Sequence, residues 1–231
     1  MPPIRANLQA VKVRIAAAAR TAHRPPESIA LLAVSKTFGA ARVGDCYAAG
    51  QRAFGENYVQ EAVEKIATLA HAAGHDNIEW HMIGPIQSNK TRLIAEYFQW
   101  VHSVERDKIA QRLNDARPAH VPPLNICIQV NVSGEASKSG IAPGAQIALA
   151  DVIAGLPRLR LRGLMAIPEP TADPTLRRQR FARLREMQQH LIARGHALDT
   201  LSMGMSDDLE DAIAEGATLV RVGTAIFGSR T

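Results

Sequence analysis

The chain has 231 residues, 46% of them hydrophobic and 21% charged, which is ordinary globular composition with material for one sizeable core and fits a single domain spanning 1–231. No uninterrupted apolar run approaches the roughly 18 residues that span a bilayer, and Cys46 and Cys127 form neither a disulfide framework nor a metal-ligand pair, so no membrane span or cysteine-rich zinc site is expected and a cytoplasmic setting is favoured. The formal net charge of +5 suits an anionic small ligand, whereas the 4% of aromatics form no basic–aromatic strip for stacking on single strands, so no nucleic-acid partner is expected.

Ile4, Leu8, Val11 and Ile15 recur at helical spacing and predict an amphipathic N-terminal helix that packs on the domain. After it, apolar runs begin near Ile29, Arg52, Glu79, Trp100, Leu124, Leu161, Thr200 and Leu219 and read as strands. Between them lie helical patterns at 40–49, 58–73, 89–95, 106–117, 145–153, 174–194 and 208–215. Eight strands alternating with helices in this length predict a single TIM-like (β/α)8 barrel preceded by the N-terminal helix. A doubly wound open sheet is the alternative, but its glycine-rich turn after the first strand is absent: that strand ends in Ser35-Lys36-Thr37.

Barrel chemistry sits at the C-terminal ends of strands, with phosphate commonly held after strands seven and eight. Lys36 ends the first apolar run, where desolvation favours the neutral amine that condenses with a carbonyl; the alternative is a solvated lysine capping a strand. Ser202-Met203-Gly204-Met205-Ser206 follows strand seven and Gly223-Thr224 follows strand eight. Backbone amides in such loops can cradle a phosphate, while helix capping by Ser206 would use the same groups. Arg221 is a permanent cation without an acceptor: it either donates to a ligand ring nitrogen or forms a salt bridge across the barrel end. Asn57 with Gln60 reads as a helix cap, His81 as a core histidine, and the arginines at 177, 178, 180, 183 and 185 as a solvated helix face. No Walker loop, G-x-S-x-G or metal-spaced cluster is present.

The motifs AVSKT (33–37), FGENYVQE (54–61), WHMIGPIQSNK (80–90), HSVER (102–106), QVNVSGEASKSG (129–140), GLMAIP (163–168), LSMGMSDDLEDAI (201–213) and VRVGTAIFGSR (220–230) together resemble the pyridoxal phosphate homeostasis protein family, single-domain relatives of the alanine racemase N-terminal barrel. The resemblance implies that Lys36 forms a Schiff base with pyridoxal 5′-phosphate and that Ser206, Gly223 and Thr224 hold its phosphate. It also implies that Arg221 faces the pyridine nitrogen and that Asn57, Ser202 and Met203 line the pocket. Where the family often has a second lysine and a proline, Phe38 and Gly39 follow Thr37. Lys138 could offer an amine to a second cofactor molecule.

The implied function is binding, buffering and delivery of the cofactor to apo-enzymes, with an amino acid racemase or related enzyme as the alternative and a protein-interaction scaffold as a third reading. Catalysis is not expected. An arginine at the ring nitrogen makes a poor electron sink, and the chain ends at Thr231 without the β-rich domain that brings the racemase its second base. None of Tyr47, Tyr58 and Tyr97 sits in a motif matching that base, and the missing domain favours a monomer.

Overall fold

A computed structural model describes residues 3–70, 77–135 and 139–229. Eight parallel strands close into a barrel in sequence order: β1 (Ala30–Val34), β2 (Ala53–Glu56), β3 (Glu79–Met82), β4 (Trp100–Val104), β5 (Leu124–Gln129), β6 (Leu159–Met165), β7 (Thr200–Ser202) and β8 (Leu219–Val222), with β8 pairing back onto β1. The helices are α1 (Ile4–Thr21), α2 (Ala40–Ala48), α3 (Val59–Ala70), α4 (Thr91–Tyr97), α5 (Asp107–Ala116), α6 (Gln146–Ala154), α7 (Pro174–Ala193), α8 (Leu209–Ala214) and α9 (Thr224–Phe227). The expected (β/α)8 architecture is therefore present, and the open-sheet alternative is excluded by the β1–β8 ladder. Among the described residues no helix is long and apolar enough to cross a membrane.

The main core lies between the sheet and its helical coat, where Phe54, Phe98, Phe181 and Phe227 are fully buried. Helix α1 contributes Ile4, Leu8, Val11, Ile15 and Ala19 to this core, one residue per turn on a single face. It also reaches the strand ends: Asn7 donates to Ile226 O, and Arg14 donates to Ser206 O and pairs with Glu210. The lumen holds smaller apolar groups, with Leu32, Ile83 and Leu219 forming one and Trp100, Cys127 and Met165 another. A polar row (His81, His102, Ser202, Arg221) is buried beside them.

Three local expectations differ from the structure. The apolar run LNICIQVNV at 124–132 reads as the fifth strand, but the strand stops at Gln129, because Asn131 turns the chain: its Oδ1 accepts the Gly134 N–H and its Nδ2 donates to Glu135 O. Helix α9 was not expected, since four residues are too few for an amphipathic period to show. The arginines of α7 are more than a solvated face: Arg177 pairs with Asp211, Arg178 and Arg185 with Glu215, and Arg180 with Glu169, which ties α7 to its neighbours.

Candidate functional site

Lys36 is half-buried just past β1, and its two neighbours are held by a buried ionic cluster. Ser35 donates from its N–H to Gly55 O and from Oγ to Glu56 Oε1 (2.6 Å). Lys65 Nζ, on α3, donates to Ser35 O and to Glu56 Oε1, both at 2.8 Å, and pairs with Glu61. Glu61 Oε1 also accepts the Thr37 N–H at 2.6 Å. Thr37 has φ +69°, a left-handed backbone that a β-branched residue rarely adopts, and the Glu61 bond helps to hold it there. The strand end is thus gripped on both sides of Lys36. Glu56 is fully buried; desolvation pushes its pKa up, against the attraction of Lys65. In the sequence the only signal of this cluster is Glu61 and Lys65 standing four apart on one helix face.

Above the strand ends lies a cavity of about 220 Å³, lined by Val34, Lys36, Phe38, Asn57, Ile83, Ile167, Met205, Ser206, Asp207, Arg221, Gly223, Thr224 and Gly228. A cavity of roughly 150 Å³ accepts a benzene ring, so this one has room for one substituted six-membered ring. Six residues expected in the site meet here: Lys36, Asn57, Ser206, Arg221, Gly223 and Thr224. Ser202 and Met203, expected in the lining, do not take part in it. Both are fully buried: Ser202, the last residue of β7, bonds to His102 and Arg221, and Met203, just past the strand, packs into the main core. Phe38, in place of the family's second lysine, lines the cavity and stacks on Phe227 of α9 at 5.1 Å. Lys138 lies outside the described residues.

The loop chemistry resolves the capping alternatives. Helix α8 starts at Leu209, so Ser206 is not its N-cap; the Asp208 carboxylate instead accepts the Met205 N–H at 2.5 Å. Among the described residues no hydrogen bond is found from the amides of Ser206, Asp207, Thr224 or Ala225. Gly204 allows the approach to α8: it sits at φ +93°, and a Cβ there would lie 2.6 Å from the Ala212 methyl. Asn57 does not cap α3 either. Its Oδ1 is buried without a hydrogen-bond partner among the described residues. Gly84 lets the Asn57 backbone pack in close, since a Cβ would come within 2.4 Å of Asn57 O.

Arg221 is 3% exposed and forms no salt bridge among the described residues. It donates to Ser202 O (2.6 Å), Ser202 Oγ (2.8 Å) and Ala166 O (2.9 Å), all neutral acceptors. Burial pulls its pKa down to about 10, opposed by the nearby Asp208, so it stays cationic at neutral pH. A buried cation without a carboxylate partner favours an anionic ligand in the adjoining cavity. The two thiols are inert by contrast: burial pushes Cys46 and Cys127 up to about 12. No cluster with metal-ligand chemistry occurs among the described residues.

Residues 6–231 match the family described as alanine racemase, N-terminal domain. The chain is 61% identical over 230 residues to the pyridoxal phosphate homeostasis protein of Pseudomonas aeruginosa, covering 100% of this chain and 97% of that protein. It is 53% identical over 233 residues to the protein of the same name from Escherichia coli K12, covering 100% and 98%. Among solved structures, PipY of Synechococcus elongatus with PLP bound superposes with a TM-score of 0.82 at 36% identity, covering 97% of this chain and all of PipY. The chain belongs to the pyridoxal phosphate homeostasis protein family, within the larger family of the alanine racemase N-terminal domain.

Proposed function

We propose that the cavity binds pyridoxal 5′-phosphate and that the protein buffers and carries this cofactor inside the cell. One observation carries the reading: an amine, a buried cation and two sets of undonated amides surround a single ring-sized cavity. PipY, 36% identical, has PLP bound in its structure, and the relatives' names speak of homeostasis rather than of a reaction. The group fits the residues present. The amides of Ser206, Asp207, Thr224 and Ala225 would take the phosphate oxygens, with Gly223 permitting the close approach. Asn57 Oδ1 would find the partner it otherwise lacks, and Arg221 would donate at the ring nitrogen. The bound cofactor supplies an aldehyde, which condenses with the Lys36 amine to an imine with loss of one water.

Racemisation is the weaker reading. It needs an acid–base group on each face of the substrate carbon, and the ionisable side chains around the cavity are Lys36, Asp207 and Arg221. Asp207 is exposed, and Tyr47, Tyr58 and Tyr97 all lie outside the lining. Arg221 also leaves the ring nitrogen unprotonated, so the ring is a poor electron sink. The protein would then act as a cytoplasmic monomer that passes the cofactor to apo-enzymes. Titration of the purified protein with the cofactor, followed by visible absorption, tests the reading. An imine band that saturates at one equivalent supports it, and the absence of any band contradicts it.

A further inference from the structure

The polar row in the barrel lumen is not used by the phosphate cradle or by Lys36, yet it is continuous. Glu79 Oε1 lies 2.9 Å from His81 Nε2, and His81 Nδ1 lies 2.9 Å from His102 Nε2. His102 Nδ1 lies 2.8 Å from Ser202 Oγ, which accepts from Arg221 at 2.8 Å. His81, His102 and Ser202 are at most 1% exposed. The row starts at Glu79, the exposed first residue of β3, and crosses the barrel to the cavity wall at Arg221.

With both imidazoles neutral, the carboxylate end fixes the position of every hydrogen in the row. Arg221 has only donors, and Glu79 as a carboxylate has only acceptors; the hydrogen bond from His81 holds the Glu79 pKa down. Ser202 therefore accepts from Arg221 and donates to His102 Nδ1. His102 donates from Nε2 to His81 Nδ1, and His81 donates from Nε2 to Glu79. An imidazolium at His81 would reverse the row, with His102 donating from Nδ1 to Ser202, so this pattern belongs to neutral rings that carry hydrogen on Nε2. Their surroundings agree. Burial lowers both pKa values, and His102 also faces His81 and Arg221. The other charged groups nearby are Arg162, which lies over the Trp100 ring stacked on His81 and is paired with Asp199, and Asp208 on the far side of Arg221.

We propose that His81 and His102 are positioning residues for Arg221. By taking the Ser202 hydroxyl hydrogen at His102 Nδ1, they fix the hydroxyl rotor and aim an Oγ lone pair at the guanidinium. Arg221 is thereby held as a fixed donor at one end of the cavity, where a ring nitrogen would meet hydrogens it cannot take. The proposal rests on the reading of the cavity as a pyridoxal phosphate site, but the arrangement of hydrogens does not.

The experiment has two arms. In cofactor-free protein with ¹⁵N-labelled histidine, long-range ¹H–¹⁵N correlation reports the tautomer of each ring. Both His81 and His102 are expected neutral with hydrogen on Nε2 from about pH 6 to 8. An Nδ1–H tautomer or an imidazolium at either position in that range would overturn the proposal. The second arm compares H102L with H102N. Asparagine can place its carbonyl oxygen where Nδ1 stood and accept from Ser202, whereas leucine cannot. H102L is expected to weaken pyridoxal phosphate binding about ten-fold and to shift the bound cofactor's visible band, with H102N within about two-fold of the parent. Unchanged affinity and band in folded H102L contradict the proposal, as does equal impairment of the two variants. Should H102L fail to fold, the tautomer measurement on the parent protein decides alone. A parent protein that binds no cofactor would overturn the cofactor reading, and the tautomers would still report on the hydrogen-bonded row.

Discussion

Replacing Lys65 with methionine keeps the length of the side chain but removes the cation from the cluster behind Lys36. Lys65 and Glu56 are 5% and 0% exposed, so the change leaves a buried carboxylate without its ion-pair partner. Breaking such a pair from one side costs about 3–5 kcal/mol, a large share of the roughly 5–15 kcal/mol that holds a domain folded. We expect K65M to lose about 3 kcal/mol in urea denaturation near pH 8, and K65M/E56Q to recover a substantial part, because the amide oxygen still accepts from Ser35 and carries no charge. The pH dependence is a second check. Burial raises the folded-state pKa of Glu56 above the ordinary 4.5, and loss of Lys65 raises it further. Between 4.5 and that raised value, the folded state holds a proton that the unfolded state has released, so stability falls as pH rises through this window. The deficit of K65M relative to the parent should therefore be at least about 1 kcal/mol smaller near pH 5 than near pH 8. An equal deficit at both pH values, together with no recovery in the double variant, would refute the assignment of Lys65 as the counter-ion that makes burial of Glu56 tolerable.

A Cβ at Gly223 would stand 3.2 Å from Val34 O beside the cavity, so G223V should weaken cofactor binding by at least about ten-fold, read by equilibrium titration. Pyridoxal, which lacks the phosphate, should bind more weakly than its phosphate by at least the same factor, and equal affinities would remove the role assigned to the loops after β7 and β8. Since Asn57 Oδ1 makes no hydrogen bond among the described residues, N57A should change the stability of the cofactor-free protein by less than about 1 kcal/mol in urea while lowering cofactor affinity. Solvent deuterium exchange and chiral chromatography across a panel of amino acids should show turnover far below the ordinary enzyme range of about 1–10³ s⁻¹, and rates inside that range would restore the racemase reading.

The barrel was legible because its signal is repeated: eight apolar runs alternating with helical patterns leave little room for another topology. The residues that meet at the cavity were legible where a residue type is unusual for its place, as with Lys36 ending an apolar strand and Gly223 following β8. Depth within the barrel was not. Ser202 and Met203 adjoin Met205 and Ser206 in sequence, yet both are fully buried and outside the cavity lining, since side-chain direction at and just past the end of a three-residue strand has no periodic signature. The groups that hold Lys36 and Arg221 were hidden for a related reason. Glu56, Lys65, His81 and His102 come from three strands and a helix: packing of α3 and pairing of β3 with β4 bring them together, and barrel closure adds Ser202 across the lumen. His81 on its own reads as a core histidine, which it is; its partner His102 is what makes it part of a row.

The central claim is that the amine of Lys36 is the one that takes the cofactor's aldehyde. Borohydride reduction of the protein mixed with pyridoxal phosphate, followed by proteolysis and peptide mass mapping, tests it directly. One pyridoxyl group on the peptide carrying Lys36, absent in K36A protein that still unfolds cooperatively, is the predicted result. A pyridoxyl group found only on another lysine such as Lys138, or on none, would contradict the account.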